Sequence, residues 1–130
     1  MQNILFVCVE NAGRSQMAEG FGKHFGTGKV NVYSAGSNPR KHVHEYAVEV
    51  MREKHIDISK SSPKGFDGLQ IARFDYVVNI GCEDECPVVP VREVLTWDIP
   101  DPKNGSVENY RKIRDIIEKK VKTMIEALHN

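Results

Sequence analysis

The chain has no net charge: 18 lysines and arginines offset 18 aspartates and glutamates over 130 residues, and the sequence pI is near 7.0. That balance lacks the positive field by which proteins hold a phosphate backbone, so no nucleic-acid partner is expected. Long apolar runs are also missing. The longest, residues 4–9, spans six positions, against the roughly 20 that cross a bilayer, and Met1-Gln2-Asn3 supplies no basic leader. No membrane association is expected, and a cytoplasmic location is. Cysteine is scarce. Three residues, an odd number without a secretory leader, exclude a structural disulfide framework and point to thiol chemistry. No repeat, low-complexity tract or linker interrupts the chain. With 40% hydrophobic and 28% charged residues it has the composition and length of one domain spanning residues 1–130, and a monomer is the expectation for a chain of this size.

Strand and helix signals alternate. Residues 4–9 form a continuous apolar run, the pattern of a strand buried on both faces. Met17, Ala18, Phe21 and Phe25 recur at helical spacing, and Gly26-Thr27-Gly28 ends the segment. A second strand is expected over residues 30–34, and a second helix carries Val43, Ala47, Val50 and Met51. Residues 63–73 read as a short helix burying Phe66, Leu69 and Ile71, and strands follow at 74–80 and 91–97. Val107, Tyr110, Ile113, Ile117, Val121, Met124 and Leu128 make an apolar stripe of period near 3.6 on a final long helix. This order predicts an α/β fold: a mainly parallel sheet with helices on both faces and right-handed crossovers. Such sheets bind ligands beyond the carboxyl ends of their strands. Cys8 ends the first strand, and the segments after Ile80 and Trp97 open on the same rim.

The segment Cys8-Val9-Glu10-Asn11-Ala12-Gly13-Arg14-Ser15 joins that strand to the first helix. A short loop entering a helix can turn successive backbone N–H groups inward and add the positive end of the helix dipole, so a tetrahedral oxyanion fits within residues 9–14. Gly13 permits close backbone approach. Asn11 can hold an unusual backbone angle or brace the loop through its amide. Arg14 offers two parallel donors, which lysine cannot. The same surroundings favour the thiolate of Cys8, a nucleophile that a Ser15 hydroxyl could stabilise by a hydrogen bond.

These residues, continuing as Gln16-Met17-Ala18-Glu19-Gly20, resemble the low-molecular-weight protein tyrosine phosphatase fold, and specifically its arsenate reductase branch. Ser34-Ala35-Gly36, Val77-Val78 and Trp97-Asp98-Ile99-Pro100-Asp101-Pro102 continue the likeness along nearly the whole chain. The resemblance implies a four-stranded parallel sheet flanked by helices and a cytoplasmic enzyme that reduces arsenate to arsenite. By the same resemblance the Cys8 thiolate attacks arsenate, Cys82 attacks the adduct and Cys86 takes over the disulfide. Asp101 would be the general acid, shielded by apolar neighbours such as Trp97. No tightly bound cofactor is implied, only an external reductant, either thioredoxin or a low-molecular-weight thiol. Asn11, Glu19 and Ser34 match positions that hold a monovalent cation such as potassium in some of these reductases.

The residues also leave alternatives. A phosphatase would use Cys8, Arg14 and Asp101 through a phosphocysteine, although Lys103 stands where such enzymes usually carry an aromatic residue. A non-enzymatic redox sensor or oxyanion-binding module would take arsenate, phosphate or sulfate without turnover. Cys82 and Cys86 supply only half a zinc site. His42 and His44 flank a helix start and are expected to face solvent.

Overall fold

In the computed structural model of the chain, residues 1–69, 73–81, 90–102 and 105–128 are described. Four strands, β1 (Gln2–Cys8), β2 (Val30–Gly36), β3 (Phe74–Asn79) and β4 (Val91–Thr96), form one sheet in the order β2-β1-β3-β4. Every pairing is parallel. Three α-helices, α1 (Arg14–Phe25), α2 (Glu45–Arg52) and α3 (Val107–Ala127), complete the α/β order read from the sequence.

The apolar run of β1 explains its central place. Ile4, Leu5, Phe6 and Val7 have no exposed surface. Ile4 and Phe6 join one core with Met17 and Phe21 of α1, Val50 of α2 and Ile117 of α3. Leu5 and Val7 point the other way, into a smaller cluster with Ala35, Phe74 and Val77 that Phe66 and Leu69 help to cover. This two-sided alternation is what a strand needs when both faces are packed.

Two differences from the sequence pattern matter. Within residues 63–69 the backbone makes only a single 3-10 turn at Phe66–Gly68 instead of a longer helix, in keeping with Pro63, Gly65 and Gly68, which disfavour helix propagation. Phe66 and Leu69 nevertheless pack as expected, while Ile71 lies outside the described residues. In addition β2 runs to Gly36, not Ser34, because Ser34, Ala35 and Gly36 pair with Phe6, Val7 and Cys8. The register thereby carries the chain after β2 directly alongside the end of β1. Among the described residues no helix is long and apolar enough to cross a membrane.

An ionic junction holds the end of α2 on α3. Glu53 accepts from Arg111 Nη2 at 2.8 Å and from Arg114 Nη1 at 2.6 Å, and Arg114 also donates to the Val50 carbonyl at 3.0 Å. The hydrogen bonds from Arg111 and then Arg114 pull the Glu53 carboxyl down to about 2 from 4.5. A carboxyl lowered by folding stabilises the fold above its unfolded value and loses that contribution as pH falls through its folded one. Glu53→Gln is therefore expected to lower the melting temperature at pH 7, with the difference from wild type shrinking from pH 4.5 and closing near pH 2. Equal differences at both pH values would show that the junction acts through packing and not through charge.

Candidate active site

The turn after β1 is held by a strap. The N–H groups of Ser37, Asn38, Arg40 and His44 donate to the carbonyls of Cys8 (3.3 Å), Val9 (2.7 Å), Glu10 (3.1 Å) and Ala12 (2.8 Å), and Met17 N–H takes the Gly13 carbonyl at 2.9 Å. In a trans peptide the N–H points opposite to the C=O, and no cis peptide is present among the described residues. Carbonyls turned out toward the strap therefore turn the amides of Val9, Glu10, Asn11, Gly13 and Arg14 in. They face a cavity of about 30 Å³ lined by Cys8, Gly13 and Arg14, with Arg40, His44, Asp101 and Tyr110 around its mouth.

Asn11 bends the loop and braces it, as its position suggests. Its φ is +50°, in the left-handed region that asparagine tolerates. Its buried amide donates to Ser15 Oγ at 2.7 Å, while its Oδ1 accepts from Gln16 Nε2 at 3.1 Å and from Lys64 N at 2.9 Å. Ser15 Oγ lies 2.8 Å from Cys8 Sγ. Toward a thiolate, which carries no proton, the Ser15 hydroxyl can only donate. Gly36 is required for a reason of space: a Cβ there would sit 2.5 Å from the Val9 oxygen and 2.8 Å from the Asn11 nitrogen. At Gly13 an added Cβ would meet no atom within 4 Å, so its lack of side chain leaves open space.

Arg14 closes the ring at the first turn of α1. Its Nη1 donates to the carbonyls of Ile80 and Ile99, each at 2.9 Å, and Nη2 lies 3.6 Å from Asp101 Oδ2. The guanidinium thus ties together the segments that follow β3 and β4, as the topology requires of residues meeting at one rim. Gly81 makes room for it. The Asn79 side chain holds Gly81 N–H at 3.0 Å, and a Cβ at Gly81 would stand 2.7 Å from the Arg14 Cζ.

The structure corrects two readings. Asp101 is not shielded by apolar burial: its side chain is 50% exposed and faces the Arg14 charge, whereas Trp97 packs on Phe6 with ring centroids 5.8 Å apart. His44 does not face solvent. It is half-buried at the cavity mouth and stacks on Tyr110, 4.9 Å between centroids, while His42 is exposed as expected. Of the three residues matched to a cation position, Asn11, Glu19 and Ser34, the last two are in direct contact. Glu19 accepts from Ser34 Oγ and holds Lys23 Nζ at 2.8 Å, and the Asn11 oxygen is taken by two N–H groups. Cys82 and Cys86 lie outside the described residues.

Tyr110, read from the helical stripe as a core residue, is indeed 2% exposed, yet it also lines the cavity. Burial first, and the neighbouring Asp101 carboxylate second, push its hydroxyl up to about 12, so it keeps its proton across the ordinary pH range. Among the described residues no group of three or more His, Cys, Asp or Glu side chains is placed to hold a metal ion.

Cys8 thus sits at a turn whose amides point inward, with Arg14 lining the same cavity and Asp101 3.6 Å from its guanidinium. The chain belongs to the low molecular weight phosphotyrosine protein phosphatase family, whose model matches residues 3–130. Within that family it is similar to a glutaredoxin arsenate reductase of Synechocystis sp., 34% identical over 131 residues that cover 98% of this chain and 99% of the relative. A solved arsenate reductase in its phosphate-binding state superposes with a TM-score of 0.87 at 32% identity, covering 98% of this chain and 99% of its own. The thioredoxin-dependent arsenate reductase of Corynebacterium glutamicum gives 0.82 at 31% identity over 98% of this chain and 62% of its own.

Gly81→Ala is expected to displace the guanidinium and weaken phosphate binding by about tenfold or more, about 1.4 kcal/mol, as read by calorimetric titration, with the fold retained by circular dichroism. Unchanged affinity would show that Arg14 tolerates the intrusion.

Proposed function

We propose that this chain reduces arsenate to arsenite. The observation that carries the reading is the turned-in loop at Cys8: its carbonyls are taken by the strap, its amides turn toward the cavity that Cys8 and Arg14 line, and the Ser15 hydroxyl stands 2.8 Å from the sulfur. Backbone donors fixed before the anion arrives need no reorganisation when charge develops on it. Relatives named for arsenate reduction, matched along nearly the whole chain, support this substrate.

The reaction begins with the Cys8 thiolate attacking arsenic. A sulfur–arsenic bond forms as the bond from arsenic to one of its hydroxyl groups breaks, and that hydroxyl departs as water with a proton delivered by the protonated form of Asp101, whose carboxyl stands 3.6 Å from the Arg14 guanidinium. The Cys82 thiolate then attacks Cys8 Sγ. A sulfur–sulfur bond forms, and the electron pair of the sulfur–arsenic bond stays on arsenic, which leaves as arsenite two electrons richer. Attack by Cys86 on Cys82 returns the Cys8 thiolate and leaves a Cys82–Cys86 disulfide. An external thiol reductant, thioredoxin or a small thiol, supplies the two electrons that close the cycle. The reaction is proposed for the cytoplasm, where such thiols are kept reduced, with the chain acting as a monomer. Potassium is given no step in this cycle.

Mass mapping of thiols after one arsenate turnover without reductant tests the relay. A Cys82–Cys86 disulfide with one equivalent of arsenite is expected. Cys82→Ser should abolish arsenite release yet leave phosphate affinity within about twofold of wild type. Arsenite release that survives this substitution would remove Cys82 from the mechanism. A phosphatase cycle on Cys8, Arg14 and Asp101 needs no second thiol, so any hydrolysis of an aryl phosphate should survive Cys82→Ser.

A further inference from the structure

His44 is held on more sides than a helix cap requires. It precedes α2, and its Nδ1 accepts the Tyr46 N–H at 3.1 Å. A backbone amide can only donate, so Nδ1 presents a lone pair and the neutral ring carries its proton on Nε2. Its own backbone N–H is bonded to the Ala12 carbonyl at 2.8 Å, which ties the residue to the oxyanion loop. The ring stacks on Tyr110 at 25° between planes, and Tyr46 closes a further side at 5.3 Å. His44 lines the cavity together with Cys8, Arg14 and Asp101, and cap and stack leave Nε2 as the ring nitrogen able to bind a further group.

The occupant of that edge follows from the direction of attack. In-line displacement at a tetrahedral centre puts the leaving oxygen opposite the sulfur, so with Cys8 at the floor this oxygen points to the mouth. For arsenate or phosphate it is a bare oxygen or hydroxyl. For an ester it is the bridging oxygen, and its carbon substituent would have to pass the His44–Tyr110 stack. A bridging ester oxygen carries no charge and is a weaker hydrogen-bond acceptor than the free oxygen of the anion.

We propose that His44 is a substrate-contacting residue that sets specificity: its Nε2–H donates to the outward oxygen of the bound anion and, with the Tyr110 hydroxyl beside it, selects a free tetrahedral oxyanion over an ester. The proposal rests on the oxyanion-loop reading above and not on the thiol relay. Tyr110 suits the part because its hydroxyl remains a donor at every pH at which the protein would work.

The test uses His44→Asn on the full chain. Asparagine is a favoured helix cap with a side-chain oxygen to accept the Tyr46 amide, but it is too short to place a donor where Nε2 stands. Calorimetric titration of wild type and variant with inorganic phosphate and with phenyl phosphate reads the selection directly. Phosphate affinity is expected to fall about tenfold, the scale of one hydrogen bond to a charged group. Phenyl phosphate affinity should change less than about twofold, and the melting temperature should stay within about 2 °C. Equal losses for both ligands, or none for either, would overturn the proposal. A second measurement needs no variant: on adding phosphate to the wild type, the ring nitrogen resonances of His44 should shift, and unmoved resonances would overturn it as well. A wild type that binds no phosphate would overturn the oxyanion-loop reading and this proposal together, whereas loss of arsenite release with phosphate selection intact would count against the relay alone.

Discussion

The site depends on the hydrogen bonds between residues 37–44 and the turn after β1. Four carbonyls of the turn are spoken for on its outer side, and because the peptides are trans, the same bonds decide where the amide hydrogens go. Without the strap those carbonyls would compete with the amides for the inner face, and an anion would meet acceptors in place of donors. The strap in turn depends on the sheet. β2 must run parallel to β1 up to the Gly36–Cys8 pair for the chain beyond it to reach the turn, and only a residue without a Cβ can stand at Gly36.

The sheet order puts this arrangement where two directions of chain travel diverge. From β1 the chain crosses to β2 on one side, and it later enters β3 on the other. The crevice at that switch point is where open parallel sheets bind their ligands. Here Arg14 spans it, bonded to the carbonyls of Ile80 and Ile99. One side chain thus serves both as a structural tie across the rim and as the positive wall of the cavity, which makes the site sensitive to changes at Gly81 that leave the core untouched.

Much of this was legible in the sequence, for identifiable reasons. Continuous apolar runs mark β1 and the interior of β3 because both faces of those strands are buried, and a stripe of period 3.6 marks α3 because one side of it enters the core shared with α1 and α2. The turn from Cys8 to Ser15 was legible because its chemistry sits in side chains: a thiol, an amide, a guanidinium and a hydroxyl at fixed spacing. The strap left no such mark, since backbone bonds to residues 37–44 require no residue type except at Gly36. Tyr110 was hidden by its own hydrophobicity, which placed it correctly in the core without revealing that one edge reaches the cavity. The position of His44 at a helix start suggested solvent, and only the tertiary fold brings its ring onto Tyr110. For Asp101 the local sequence pointed to Trp97 as a shield, but the strand direction sends that indole onto Phe6 and leaves the carboxylate facing Arg14.

The central claim is that the amides after Cys8 converge on one point before any ligand arrives. A nitrogen–proton correlation spectrum of the wild-type protein titrated with inorganic phosphate tests it most directly. The account predicts that the amide resonances of Val9, Glu10, Asn11, Gly13 and Arg14 move together to lower field along one saturable curve of 1:1 stoichiometry, while the strap amides of Asn38 and His44 stay nearly in place. Movement confined to other parts of the chain, or strap amides that shift as much as the loop, would contradict it.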